Sequence, residues 1–308
     1  MRLHELLGEV HRAYRPRSYL EIGVNTGRSL ALSRTRTIAV DPAFKITAQV
    51  QCDLKLVKAT SDEFFARDDA LAHFPDGRID LAFIDGLHLI EFALRDFMNV
   101  ERHSDWTSVI VLDDVLPRNV GEAARERGDR VAWAGDVFKL GEVLANYRPD
   151  LLLLSLDTDP TGVLVVLGAD RESEVLQDRY HEIVAAYVSP DPQRVPEVVL
   201  RREAAIEPAS IAHSGIWTDL RRAREAELSR EEGWSDLLRS VETTAVRAAP
   251  RDLSPESEPP RAGPALKTAR TGPAPGAQTR ALRAVRRRLR PVRRRARRLV
   301  SKASGWAR

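Results

Sequence analysis

The chain has 308 residues, with 48 Lys+Arg against 45 Asp+Glu and a formal net charge of +3. That balance hides a division. From Arg261 onward there are 16 basic residues and no acidic one, which leaves residues 1–260 with 32 basic against 45 acidic and a net charge of −13. The basic isoelectric point therefore does not mark the body as a nucleic-acid binder.

A single cysteine, Cys52, excludes an intrachain disulfide and points to a reducing compartment. Charges within the first nine residues leave no apolar signal-peptide segment. Leu151–Leu154 and Val163–Leu167 fall far short of the ~20 apolar residues of a membrane span. The expectation is a cytoplasmic protein, with contact to a membrane surface left open.

Leu3, Leu6, Leu7, Val10 and Tyr14 recur at helical spacing and predict an opening helix. Strands are predicted at Ser18–Ile22, Thr37–Val40, Leu54–Ala59, Ile79–Ile84 and Ser108–Leu112. Helices are predicted at Arg28–Arg34, from about Ser61 through Leu71, at Leu89–Val100 and near Val137–Tyr147. Leu151–Leu156 and Val163–Leu167, joined by a short link, read as an antiparallel hairpin. The alternation argues for an α/β fold: a doubly wound parallel sheet with helices on both faces and a final antiparallel hairpin. Residues 171–188 read as one helix. Residues 197–245 are charged and helical in propensity, with Trp217, Leu220 and Leu237 among their apolar anchors. The divisions are thus 1–170 as one domain and 171–248 as a helical extension. Residues 249–279 follow as a disordered proline-rich linker, and 280–308 as a basic amphipathic tail.

The turn after the first strand is Glu21-Ile-Gly23-Val-Asn25-Thr-Gly27. Two glycines let the backbone turn sharply and let a ligand approach without Cβ obstruction. Glu21 can face a ligand's cationic or hydroxyl groups, and the next helix can offer free N–H donors. The spacing departs from Gly-x-Gly-x-x-Gly, which weakens a dinucleotide reading. Asp41 ends the second strand where an acid can accept from a ribose diol. Ser61 and Asp62 follow the third strand beside the same crevice, where an adenine edge could be read. Each piece also has a structural reading as a tight connection or turn chemistry. Together they place three ligand-facing groups at successive strand ends.

These residues and the closing hairpin resemble class I S-adenosylmethionine-dependent methyltransferases over about residues 15–168. The resemblance implies a Rossmann-like seven-stranded sheet with an antiparallel last strand. It also implies S-adenosylmethionine (SAM) as methyl donor, with Glu21, Gly23, Asn25, Gly27, Asp41, Ser61 and Asp62 around it.

Phe83-Ile84-Asp85-Gly86-Leu87-His88 and Val111-Leu112-Asp113-Asp114-Val115 end adjacent strands. Asp85, Asp113 and Asp114 would repel one another there, and Mg²⁺ would relieve that repulsion. His88 could take a proton from a hydroxyl held at the metal. The acids also read as caps or turn residues, and His88 as a helix start. The two segments are similar to the macrocin O-methyltransferase group of metal-dependent sugar O-methyltransferases. That resemblance implies Mg²⁺ on Asp85, Asp113 and Asp114, and His88 as the base. Cephalosporin hydroxylase-like proteins share the segment. Leu87 stands where these families often carry an acid. The macrolide enzymes also have a large N-terminal domain, whereas this chain reaches its first strand by residue 18.

Asn25, Arg118, Asn119 and Trp133 are further candidates, the last three in the loop where a small-molecule or glycan acceptor would lie. The competing readings are a hydroxylase-like or NAD-binding enzyme, and a non-catalytic fold whose tail is the binding module. In that tail Leu282, Val285, Leu289 and Val292 alternate with arginines, which suits an anionic membrane surface better than nucleic acid. The acceptor and the oligomeric state are left open.

Overall fold

A computed structural model describes residues 1–128 and 132–248. The linker and basic tail expected over 249–308 lie outside the described residues. Seven strands form one sheet: β1 Ser18–Ile22, β2 Arg36–Val40, β3 Asp53–Val57, β4 Leu81–Ile84, β5 Val109–Leu112, β6 Leu152–Leu156 and β7 Val163–Leu167. Their order is β3-β2-β1-β4-β5-β7-β6. β1 pairs in parallel with both β2 and β4, and β4 pairs in parallel with β5. β7 runs antiparallel to β5 and to β6. This is the Rossmann-like methyltransferase sheet that the resemblance implies.

β1, β4, β5 and β7 are buried along their whole length, which explains the unbroken apolar runs of the last three; β1 also buries Ser18 and Glu21. Alternate residues serve opposite cores. Leu20, Ile22, Ala82, Ile84, Ile110 and Leu112 pack beneath α2 (Ser61–Phe65), α3 (Ile90–Glu101) and α4 (Leu140–Tyr147). Tyr19, Leu81, Phe83, Val109 and Val111 face α1 (Leu3–Tyr14).

Three helical expectations change. After Gly27 the chain makes only a 3₁₀ turn, Leu30–Leu32, where an α-helix over Arg28–Arg34 was expected. β2 begins at Arg36, so too little chain remains for a helix and its return. The Ser29 hydroxyl is also drawn to Glu21. The segment that follows the glycine turn therefore offers it no α-helix N-terminus. α2 stops at Phe65, and irregular turns carry Ala70, Leu71 and Phe74 into the core. The helix expected over 171–188 is divided at Arg179 into α5 (Val175–Asp178) and α6 (Tyr180–Tyr187).

Beyond them lie α7 (Glu197–Leu200), α8 (Pro208–Ala212), α9 (Ile216–Glu225) and α10 (Arg230–Ala248). Ile211, Ile216, Trp217, Leu220, Leu237 and Val241 share one apolar core with α1 and the sheet. Residues 208–241 thus close the second face of the sheet. Among the described residues no helix is long and apolar enough to cross a membrane.

Candidate active site

The glycine turn is pressed against the end of β4. Gly23 has φ +86°, and a Cβ there would lie 1.8 Å from the Asp85 carbonyl oxygen. Only glycine meets both demands. Gly23 N–H donates to the Val40 carbonyl at 2.9 Å, and Gly27 N–H to the Val24 carbonyl at 2.8 Å. Asn25 sits between them at φ +46°.

Asp41 braces this turn. One carboxylate oxygen accepts from the backbone N–H of Val24 at 2.8 Å and of Asn25 at 2.9 Å. The other accepts from Ala43 N–H at 2.6 Å. A carboxylate has about four acceptor positions, so room for a further donor remains. Residues 45–48 run alongside: Lys45 N–H donates to the Asn25 carbonyl at 2.8 Å, and Thr47 N–H to the Thr26 carbonyl at 3.0 Å.

Glu21, expected to face a ligand, has both oxygens taken up within the protein. It is fully buried, because its side chain shares Tyr19's face of β1 and points beneath the turn. Its two oxygens accept from the Ser29 hydroxyl and the Tyr19 hydroxyl, each at 2.7 Å. Burial pushes this carboxyl up to about 7, against the opposing pull of those two hydrogen bonds.

Ser61 and Asp62 open α2, whose N-cap Thr60 forms a capping box with Glu63. Both side chains are engaged with α3. Ser61 lies beside Asp96, a buried carboxyl that burial raises to about 6. Asp62 takes a forked contact from Arg95, the closest at 2.7 Å.

Beside the turn, Asp85, His88 and Asp114 converge, with one donor atom of each lying within 4.8 Å of the others. His88 Nδ1 is 2.9 Å from Asp114 Oδ2, and its Nε2 is 3.8 Å from Asp85 Oδ1. Asp113 is not in that group, because two successive residues leaving a strand do not aim at one point. It is close enough to act through its charge. Burial, then Asp113 and Asp114, hold the Asp85 carboxyl well above the usual carboxylate range. Burial and Asp114 push Asp113 up to about 7. Two carboxylates, with a third acid alongside and the imidazole at their edge, fit a divalent cation, which would relieve this repulsion.

The loop after β5 closes over His88. Trp133 meets the imidazole edge-on with ring centroids 5.3 Å apart, and its indole N–H donates to the Ala124 carbonyl at 2.6 Å. Gly135 has φ +56°, and a Cβ there would lie 1.9 Å from the His88 carbonyl oxygen. Arg118 is taken up by Glu122, and the Asn119 side chain accepts from Glu122 N–H at 3.0 Å. Both therefore act as loop braces. Asp136, fully buried, accepts from Ile90 N–H at 2.9 Å, Arg125 at 2.7 Å and Lys139 at 3.0 Å. Arg125 also pairs with Glu91. Sequence reasoning overlooked Gly135, Asp136 and Thr161, whose hydroxyl donates to Asp114 Oδ1. A lone glycine in a polar loop was the only available signal.

Residues 20–115 match the family model of a methyltransferase domain. The stretch from β1 to just past β5 thus carries the sequence pattern of such a domain. No curated protein matches the chain. Among solved structures, the chain is similar to the O-methyltransferase from Bacillus cereus in complex with SAH. The identity is 15%, covering 54% of this chain and 80% of that one, with a TM-score of 0.38. It is also similar to the O-methyltransferase TomG from Streptomyces achromogenes, involved in tomaymycin synthesis, in complex with SAM. Here the identity is 20%, covering 54% and 79%, with a TM-score of 0.39. A third is the MycE methyltransferase of the mycinamycin biosynthetic pathway, in complex with Mg and SAH. Its identity is 16%, covering 53% and 49%, with a TM-score of 0.36.

Proposed function

We propose that the chain is a SAM-dependent O-methyltransferase acting on a hydroxyl of a sugar, glycan or natural product, with assistance from a divalent cation such as Mg²⁺. One observation carries the reading. The glycine turn and the Asp85–His88–Asp114 group meet at adjoining strand ends, with Gly23 against the backbone of Asp85. Open α/β sheets bind ligands at this edge. The macrocin-like assignment rests on the Phe83–His88 and Val111–Val115 segments.

Bound SAM would supply the electrophilic methyl group, and a bound cation would neutralise charge and acidify the acceptor hydroxyl. The chain's own residues do the rest. The Gly23–Gly27 turn would present its backbone to SAM. Asp41 holds the turn and keeps an acceptor position for a ribose hydroxyl. Ser61 and Asp62 border the adenine side. Asp85, Asp113 and Asp114 form the acidic cation site. His88 receives the hydroxyl proton at Nε2, while Nδ1 donates to Asp114. Trp133 borders the acceptor. Positioning of this kind can contribute ~7–11 kcal/mol to catalysis.

The basic, apolar-interleaved segment 280–302 would hold a cytoplasmic protein to an anionic membrane surface.

Calorimetry with SAM, with and without Mg²⁺, tests the core of the reading. Submillimolar SAM binding is expected. Absence of SAM binding under both conditions would sink it. Radiolabelled methyl transfer to candidate glycans then identifies the acceptor.

A further inference from the structure

Trp106 and the helices α9 and α10 form a groove of about 250 Å³, lined among others by Leu220, Ala223, Leu228, Gly233 and Leu237. The Trp106 indole N–H donates to the Leu228 carbonyl at 2.9 Å. A Cβ at Gly233 would lie 2.3 Å from the Trp106 ring, so a glycine there is what lets α10 close on the indole. Leu228 is 39% exposed, an apolar side chain left open to solvent in the lining.

The surroundings are acidic. Residues 216–242 hold seven acids and five arginines, and none of the acids is buried. Two of the arginines turn inward, Arg224 to Asp80 and Arg230 to the carbonyls of Gly168 and Asp150. Seven acids then stand against Arg221, Arg222 and Arg239, a net charge of −4. Arg222 is the one arginine of the lining, against Asp219 and Asp236. Glu225 and Asp236 pair with Arg221 and Arg239, whereas Glu227 and Glu231 form no ion pair among the described residues.

The same chain carries a segment of complementary chemistry. Residues 280–290 contain six arginines and no acid. Leu282, Val285 and Leu289 stand at i, i+3 and i+7, the spacing with which an amphipathic helix fills an apolar groove. The connection is long enough. α10 ends at Ala248, about 22 Å along the helix from Gly233. Residues 249–279 would average about 30 Å end to end as a flexible chain. Tethering at such a length gives a local concentration on the order of millimolar, so individually weak contacts suffice.

We propose that the α9–α10 groove is the docking site of residues 280–290 of the same chain. Leu282, Val285 and Leu289 enter the groove, and the arginines meet the acids around it, Glu227 and Glu231 first. Trp106 precedes β5, whereas Asp113 and Asp114 follow it, so the groove lies at the opposite strand ends from the candidate active site. Docking leaves the glycine turn uncovered and withholds the tail's arginines from other anionic surfaces. None of this depends on methyl transfer.

The test uses full-length ¹⁵N-labelled protein in which Cys52→Ser removes the native thiol and Thr279→Cys carries a nitroxide. At low salt the label should selectively broaden the amide signals of Trp106 and residues 219–237. The broadening should fall several-fold in 1 M NaCl, where the screening length is ~3 Å. It should fall likewise in the double variant Glu227→Lys, Glu231→Lys. Leu228→Ser keeps the carbonyl that Trp106 uses and should also weaken it. Melting curves report whether each variant folds, and Glu227→Gln with Glu231→Gln replaces the lysine pair if that pair does not. A mixture of nitroxide-labelled ¹⁴N protein with unlabelled ¹⁵N protein should leave these signals sharp. Broadening that is absent at low salt, spread evenly over the body, unchanged by either set of substitutions, or passed between molecules in the mixture overturns the proposal.

Discussion

His88 and Asp114 come from the ends of adjacent parallel strands, and their side chains meet at 2.9 Å between Nδ1 and Oδ2. An imidazole fixed on one side by a carboxylate is equipped to receive a proton on the other. His88→Ala should therefore lower kcat about 100- to 10,000-fold, the usual range for a lost general base. SAM affinity should stay within a few-fold of wild type, because the glycine turn is built without His88. Steady-state kinetics beside SAM calorimetry check this. Equal activity in the variant would remove His88 from the chemistry.

The acids around His88 give a prediction of mixed sign. Asp85 carries a carboxyl held well above the usual range by burial and by Asp113 and Asp114. Asp85→Asn removes that repulsion, so the cation-free variant should melt at or above the wild-type temperature near neutral pH. Saturating Mg²⁺ or Mn²⁺ should reverse the order. A ligand at 100 times its Kd stabilises by about 2.7 kcal/mol, and the variant should lose most of that gain. Thermal melts with and without cation decide the matter. A wild type indifferent to every divalent cation tested would end the metal reading.

The strands could be read from sequence because strands buried on both faces leave a strong apolar signature. β1 at Ser18–Ile22 and β7 at Val163–Leu167 coincide with their expected bounds. The residues of the site were likewise visible as strand-end motifs. What lay hidden was direction and partnership. Glu21 has the alternation of a buried residue, yet its place at a glycine turn suggested a ligand contact. Asp113 and Asp114 read as an equal pair, but only Asp114 joins His88. Thr161 reaches the site through an antiparallel register that no local pattern encodes. The missing helix after Gly27 reflects a loop-length constraint that outweighs helical propensity.

Glu21 makes stability depend on pH. Its carboxyl is raised to about 7 in the folded chain, against an ordinary value of 4.5. A raised folded value means that the native state binds the proton more tightly than the unfolded chain does. The associated stability is fully present below pH ~4.5 and is lost as pH rises through about 7. The size of the loss is about 3 kcal/mol. Glu21→Gln keeps the shape without the ionisation. Urea denaturation of both proteins between pH 5 and pH 8 should show wild type losing ground to the variant as pH rises. Parallel curves would mean that Glu21 stays ionised in the folded chain.

The loop over His88 hangs on Asp136. This single buried carboxylate gathers the Ile90 N–H, Arg125 and Lys139, and so ties the loop to the start of α3. Asp136→Ala strands the buried Lys139 ammonium beside neutral partners only, the Tyr187 carbonyl and the Ser189 and Gln193 side chains. Breaking one side of a buried ion pair costs ~3–5 kcal/mol. Arg125 keeps Glu91, which moderates the loss on that side. The larger effect should be local. Gly135 and Trp133, which press on the His88 backbone and ring, depend on this anchor. Amide exchange over residues 117–128 and 132–136 should rise well above that of the sheet, with KM for the acceptor raised and SAM affinity preserved. Asp136→Asn, which keeps the acceptor oxygen for Ile90, should fall between the two. An alanine variant with wild-type exchange in this segment would show that the loop is held by its own packing instead.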